Sequence, residues 1–181
     1  MVPAEHFQTE DTLAIARFLL GKQITTYVDG LATGGLITET EAYLGVTDRA
    51  SHSYGGRRTP RTEIMYRKGG IAYIYFCYGM HHLLNLVTGP EGMPHAVLIR
   101  ALHPTIGLET MQQRRKGRKP LASGPGMVCQ ALGLTLKQNG QPLHIEDTGV
   151  RPTEILASPR IGVDYAGPDA LLPFRYRLLH L

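Results

Sequence analysis

The chain has 181 residues, enough for one domain with a full hydrophobic core, and 43% are hydrophobic against 19% charged. That balance excludes a disordered chain, and no apolar run approaches the ~20 residues that a membrane span needs. A net charge of +4 favours polyanionic partners, while two cysteines far apart, Cys77 and Cys129, support neither a disulfide framework nor a zinc cluster. The first twenty residues carry Glu5, Glu10 and Asp11 ahead of their apolar part, unlike a signal peptide, so a cytoplasmic compartment is expected.

Residues 11–20 have apolar positions at Leu13, Ala16 and Leu20, which predicts a short helix capped by Asp11 or Thr9 and ended by Gly21. A strand over 22–28 follows, then Asp29-Gly30 as a hairpin turn, then a return strand over 31–43. Gly34-Gly35 inside that strand predicts a bulge or a close backbone approach. Strict alternation would put Ile37, Glu39, Glu41 and Tyr43 on one face. The strand thus delivers carboxylates and an aromatic ring into a loop that carries Asp48 and His52, a common way to build a site. Spacing alone does not choose between Glu39 and Glu41 as a general base.

Residues 55–70 are basic and bounded by glycines. Arg57, Arg58, Arg61, Arg67 and Lys68 stand there against the single acid Glu63. This segment is either a solvated loop or a contact for nucleic-acid phosphates. Strands are predicted over 71–77 and 82–87, joined by a turn at Tyr78-Gly79-Met80, with Tyr73 and Tyr75 on one face. Tyr78 falls at the tip, either as a duplex wedge or as a packed strand tyrosine.

The run over 96–102 reads as a buried strand interrupted by Arg100, which needs an acidic partner such as Glu41 or an outward position on an edge strand. A helix is predicted over 105–116 with Ile106, Met111 and Leu108 inward, running into an exposed basic loop at 114–120. Pro125 opens a further helix to about Leu132. Short strands are predicted over 143–145, 160–163 and 173–179. Nothing divides the chain, so residues 1–181 form one domain.

Several motifs together carry more than local physics. I-T-E-T-E-A-Y-L-G, then A-S-H-S with G-G-R-x-T-P-R, then Y-I-Y-F-C-Y-G-M, stand in this order. V-L-I-R-A-L, S-G-P-G-M-V-C-Q-A-L and R-I-G-V-D-Y-A-G follow. The chain so marked strongly resembles the alkyladenine (3-methyladenine) DNA glycosylase family over nearly its whole length. The resemblance implies an α+β fold, a single compact domain around a curved antiparallel sheet with flanking helices and a protruding, DNA-intercalating β-hairpin.

It also implies roles. Glu41 becomes the general base acting on water. Arg100 helps to hold that water, together with a main-chain carbonyl in 160–163. Tyr43, His52 and Tyr75 wall the base pocket, Asn85 crowds the amino group of guanine, and Tyr78 enters the duplex. Arg57, Arg58, Arg61 and Lys68 are expected on the DNA backbone. The expected partner is double-stranded DNA containing damaged purines, met by a monomer at no membrane, at the nucleoid if the source is bacterial. No cofactor and no metal are implied. The competing readings are a non-catalytic module for damaged nucleic acid, and a metallohydrolase using His52, His81, His82 or the cysteines. The second lacks any H-E-x-x-H or P-C-x-x-C spacing.

Overall fold

The computed structural model describes residues 1–180. Eight strands form one antiparallel sheet: β1 (Gln23–Val28), β2 (Leu31–Tyr43), β3 (Ala72–Cys77), β4 (His81–Thr88), β5 (His95–Ile106), β6 (His144–Glu146), β7 (Ile155–Ser158) and β8 (Arg175–Leu178). The order is β3-β4-β5-β2-β1-β6, and β8 adds to the far half of β2 with β7 outside it. Helices α1 (Thr12–Phe18), α2 (Leu108–Arg114) and α3 (Pro125–Leu132) complete an α+β domain. Asp11 caps α1 by accepting from the Ala14 N–H at 2.9 Å. Pro125 opens α3, and Gly133, at φ 72°, closes it.

The main core lies on one face of the sheet. Ile74, Leu84, Leu86, Val97 and Ile99 meet Ile15, Ala16 and Leu19 of the α1 region and Val128, Cys129 and Leu132 of α3 there. Burying side chains of this size contributes roughly 1.5–3 kcal/mol each. The other face of β2, β3, β4 and β5 carries Tyr43, Tyr73, Tyr75, Asn85, Leu98 and Arg100.

Gly34 and Gly35 both serve the expected close approach. A Cβ at Gly34 would strike the Ile24 carbonyl, and one at Gly35 the His103 carbonyl. The expected alternation in β2 does not hold. Ile37 sits in the main core with Ala42, and Thr40 bonds the Ala16 carbonyl, so Ile37 faces away from Glu41 and Tyr43. Register explains the switch. Ile37 pairs with Leu102 and Glu39 with Ala101, which leaves Thr38 as an extra residue in β2. Thr40 then pairs with Ile99, which leaves Arg100 as an extra residue in β5.

Three further expectations are corrected. The helix predicted over 105–116 begins only at Leu108, because β5 runs on to Ile106 and pairs it with Gly34. Met111 is buried but Leu108 is exposed. The basic stretch 114–120 is not wholly a free loop: Arg114 bonds the Val28 and Ala131 carbonyls, and Arg115 bonds Gln130 at 2.5 Å. Residues 160–163 form no strand, and the backbone N–H of Ile161 is spent on the Glu41 carboxylate rather than on a neighbouring strand. The pairing with β8 falls to Ile155–Ser158 instead.

Candidate active site

A cleft of about 850 Å³ opens on the face of the sheet away from the main core. Its floor comes from Leu98 and Arg100 of β5 and Asn85 of β4, with Tyr43 at the end of β2. One wall is Tyr73 and Tyr75 of β3 with His52 from the loop after β2. Ile161, Gly162, Val163 and Tyr165 also line the cleft. Arg49, Arg57 and Arg61 stand at the rim.

Glu41 is fully buried directly behind these groups and contributes no surface to the cleft. Three residues that do line the cleft hold it. The Tyr43 hydroxyl donates to Oε2 at 2.8 Å, the Ile161 N–H donates to Oε1 at 2.9 Å, and Arg100 Nη1 lies 3.2 Å from Oε1. The partner predicted for Arg100 is therefore present, and Glu39 is a second one at 3.1 Å. Burial, and next the adjacent Glu41 carboxylate, hold the Tyr43 phenol well above its ordinary pKa, so it stays a proton donor.

The aromatic wall is tightly coupled. His52 Nδ1 lies 2.8 Å from the Tyr73 hydroxyl, and the His52 ring meets the Tyr75 ring edge-on at 4.6 Å. Burial, with Arg61 and Arg57 nearby, pushes the His52 pKa down to about 4. The imidazole is therefore neutral at neutral pH. Tyr73 is pushed up to about 12 by burial, and Tyr75 is raised for the same reason, helped by Cys77. A wall of neutral aromatic rings can receive a flat cation over its faces. Asn85 is buried opposite Tyr73, and its amide donates to the Tyr73 carbonyl at 3.1 Å.

The β3–β4 hairpin ends in Tyr78, which is 86% exposed at φ 48°. Left-handed backbone at a tyrosine costs about 1 kcal/mol or more. Phe76 and Met80 are also exposed there.

The predicted backbone contacts divide. Arg57 and Arg61 reach the cleft rim, whereas Arg58 makes a two-point bond to Glu63 and stacks on Tyr66, and Lys68 lies outside the lining.

Sequence reasoning noted Asp48 as an acid of this region but missed its partner. The Arg160 guanidinium is buried, bonds both Asp48 oxygens, and donates to the Ala42 carbonyl at 2.9 Å and the Asp169 carbonyl at 3.1 Å. Its carbon lies 4.8 Å from the Tyr43 ring centre, behind the site. Exposed Tyr165, with its hydroxyl on the Ala50 carbonyl, was likewise not assigned. The signal available was a lone Asp and a lone Arg 112 positions apart, which no local pattern connects. Among the described residues no group of three His, Cys, Asp or Glu side chains is placed to hold a metal ion. No helix there is long and apolar enough to cross a membrane.

Comparison with known proteins identifies a family. The family model described as Methylpurine-DNA glycosylase (MPG) matches residues 6–180. Relatives named "Putative 3-methyladenine DNA glycosylase" match over nearly the whole chain. One from Chlamydia pneumoniae is 50% identical, covering 98% of this chain and 95% of the relative. One from Chlamydia felis is 49% identical, over 98% and 96%. One from Bacillus cereus strain G9842 is 45% identical, over 94% and 92%. A match of this length, to a chain whose acid, arginine and aromatic wall converge on one cleft, places the protein in the methylpurine-DNA glycosylase family.

Proposed function

We propose that this protein is a monofunctional DNA glycosylase that excises alkylated purines, 3-methyladenine and 7-methylguanine, from duplex DNA and leaves an abasic site. Hypoxanthine and ethenoadenine are further candidate substrates. The observation that carries the reading is Glu41, a buried carboxylate held by Tyr43, Arg100 and Ile161 at the back of an aromatic cleft.

A purine inside the duplex is out of reach of such a cleft, so it must first turn out of the stack, at a cost of a few kcal/mol. Tyr78 enters the gap and replaces the lost stacking. The extruded base lies against Tyr43, Tyr75 and His52, where a cationic alkylpurine gains ~0.5–2 kcal/mol from the rings. Asn85 crowds the amino group that distinguishes guanine.

As the bond from C1′ to the purine nitrogen breaks, its electron pair leaves with the base and neutralises the base cation. Positive charge on the sugar is stabilised by the nearby carboxylate. Water oxygen bonds to C1′ and its proton passes to Glu41, the carboxylate that Tyr43, Arg100 and Ile161 hold. Neutral purines need a proton on the departing base as well. Among the side chains lining the cleft none is a lysine, which supports hydrolysis by water over a Schiff-base route.

The protein is read as a monomer acting on DNA in the cytoplasm, at the nucleoid in a bacterium. Base release from duplexes carrying each of the four lesions tests the assignment. Glu41→Gln is expected to keep binding an abasic-site analogue while losing base release by at least 100-fold, the order of a missing general base. Full single-turnover release by Glu41→Gln would overturn the mechanism, and binding without release by the wild-type chain would favour a non-catalytic damage-binding module.

A further inference from the structure

Glu39 stands two residues before Glu41 and has no part in the reaction just described. Its Oε1 accepts from Arg100 Nε at 3.1 Å and from Arg175 Nη1 at 3.2 Å. Arg100 turns its other edge to Glu41, with Nη1 3.2 Å from Oε1. Arg175 is steadied in turn by Ser158 Oγ, 3.1 Å from its Nε. Arg175, Glu39, Arg100 and Glu41 therefore form a row of alternating charge drawn from β8, β2 and β5. Side-chain exposure falls along it from 19% through 16% and 12% to 0%, so solvent screens these charges weakly.

Arg100 is the extra residue of the β5 bulge, so regular strand pairing does not fix its side chain. Its aim is fixed by what its Nε edge binds, and that is Glu39. A guanidinium shared between two carboxylates also stabilises each anion less than it would stabilise one alone. A base clamped by an undivided arginine would be a poor proton acceptor.

We propose that Glu39 is a positioning residue for base release, with Arg175 setting how much of Glu39 is left for Arg100. Glu39 points Arg100 at Glu41 and takes up part of its charge, so that less of that charge falls on the Glu41 carboxylate. The inference rests on the reading of Glu41 as the base.

The other groups that face Glu41 are the Tyr43 phenol from its own strand, Tyr75 from β3, and Arg160 with the Ile161 N–H from the loop after β7. None of them changes in the variants below, so differences report the row itself.

The test is the pH dependence of single-turnover release of 7-methylguanine from duplex DNA. The wild-type profile is expected to fall on its acid limb, and Glu41→Gln to lose release at every pH. Glu39→Gln keeps an oxygen for Arg100 Nε but removes the charge. Its acid limb is expected about one pH unit lower, with a lower plateau rate. Arg175→Met frees Glu39 for Arg100, and its limb is expected to move the opposite way, to higher pH. Limbs that stay in place, or that move together, would overturn the proposal. If Glu39→Gln does not fold, as judged by circular dichroism, Arg175→Met at the more exposed end of the row decides alone by the direction of its limb. Retained release by Glu41→Gln, or none by the wild-type chain, would instead sink the reading of the base.

Discussion

At the scale of single residues, the site depends on charges that are buried in pairs. Arg160 joins the strand carrying Glu41 and Tyr43, the loop carrying His52, and the turn carrying Tyr165. Removing one partner of such a pair leaves the other charge stranded. Arg160→Met is therefore expected to lower stability by about 3–5 kcal/mol, and the double variant with Asp48→Asn to recover much of that loss. Urea midpoints of the two variants check this.

His52 makes a second prediction at the same scale. Its pKa is about 4 in the folded chain and about 6.5 in the unfolded one. As pH falls through that window the unfolded chain takes up a proton that the folded chain refuses. The His52 contribution to stability, at most about 3 kcal/mol, is thus complete above pH 6.5 and lost toward pH 4. His52→Gln should flatten this part of the curve of stability against pH.

Among the elements, the hairpin of β3 and β4 gives Tyr73, Tyr75 and Asn85 to the cleft along its length and carries Tyr78 at its end. Tyr78 touches little of its own protein, and its backbone is in a conformation that suits glycine. Tyr78→Gly is expected to raise stability by up to about 1 kcal/mol while weakening complexes with lesion-bearing duplex. Binding to DNA whose base is already extruded should change less. Equal loss on both substrates would make Tyr78 a packing residue.

The hairpin, β1 and β2 were legible because their signals are local: Asp29-Gly30 between two β-rich runs, and Tyr78-Gly79 between two more. The bulges at Thr38 and Arg100 were not, since a bulge is a mismatch between two strands and neither strand shows it alone. The same reason hid Arg160 and Ile161. Their partners lie some 110–120 positions earlier in the chain, and a segment that bonds side chains instead of a neighbouring strand has no periodicity to read. Glu41 was chosen over Glu39 by family motif. The structure adds a physical difference: Glu39 spends one oxygen on two arginines, while Glu41 lies behind the cleft.

For the molecule as a whole, the charge that matters for DNA is the part left unpaired beside the cleft. Arg57 and Arg61 stand at the rim, whereas Arg58 is matched by Glu63. Binding to undamaged duplex should weaken as salt rises. Replacing Arg57 or Arg61 by alanine should reduce the salt slope by about one unit each, and replacing Arg58 by clearly less. Fluorescence anisotropy across a salt series measures all three. The paired bulges also constrain how this sequence can change length. Strands count in twos, and the extra residue at Thr38 is the odd step that lets one strand serve the core at Ile37 and the cleft at Glu41. Deleting that single residue would slip the frame of the remaining strand. Glu41 and Tyr43 would turn into the apolar layer, Thr40 and Ala42 would turn into the cleft, and every residue type needed for the reaction would still be present on the wrong side of the sheet.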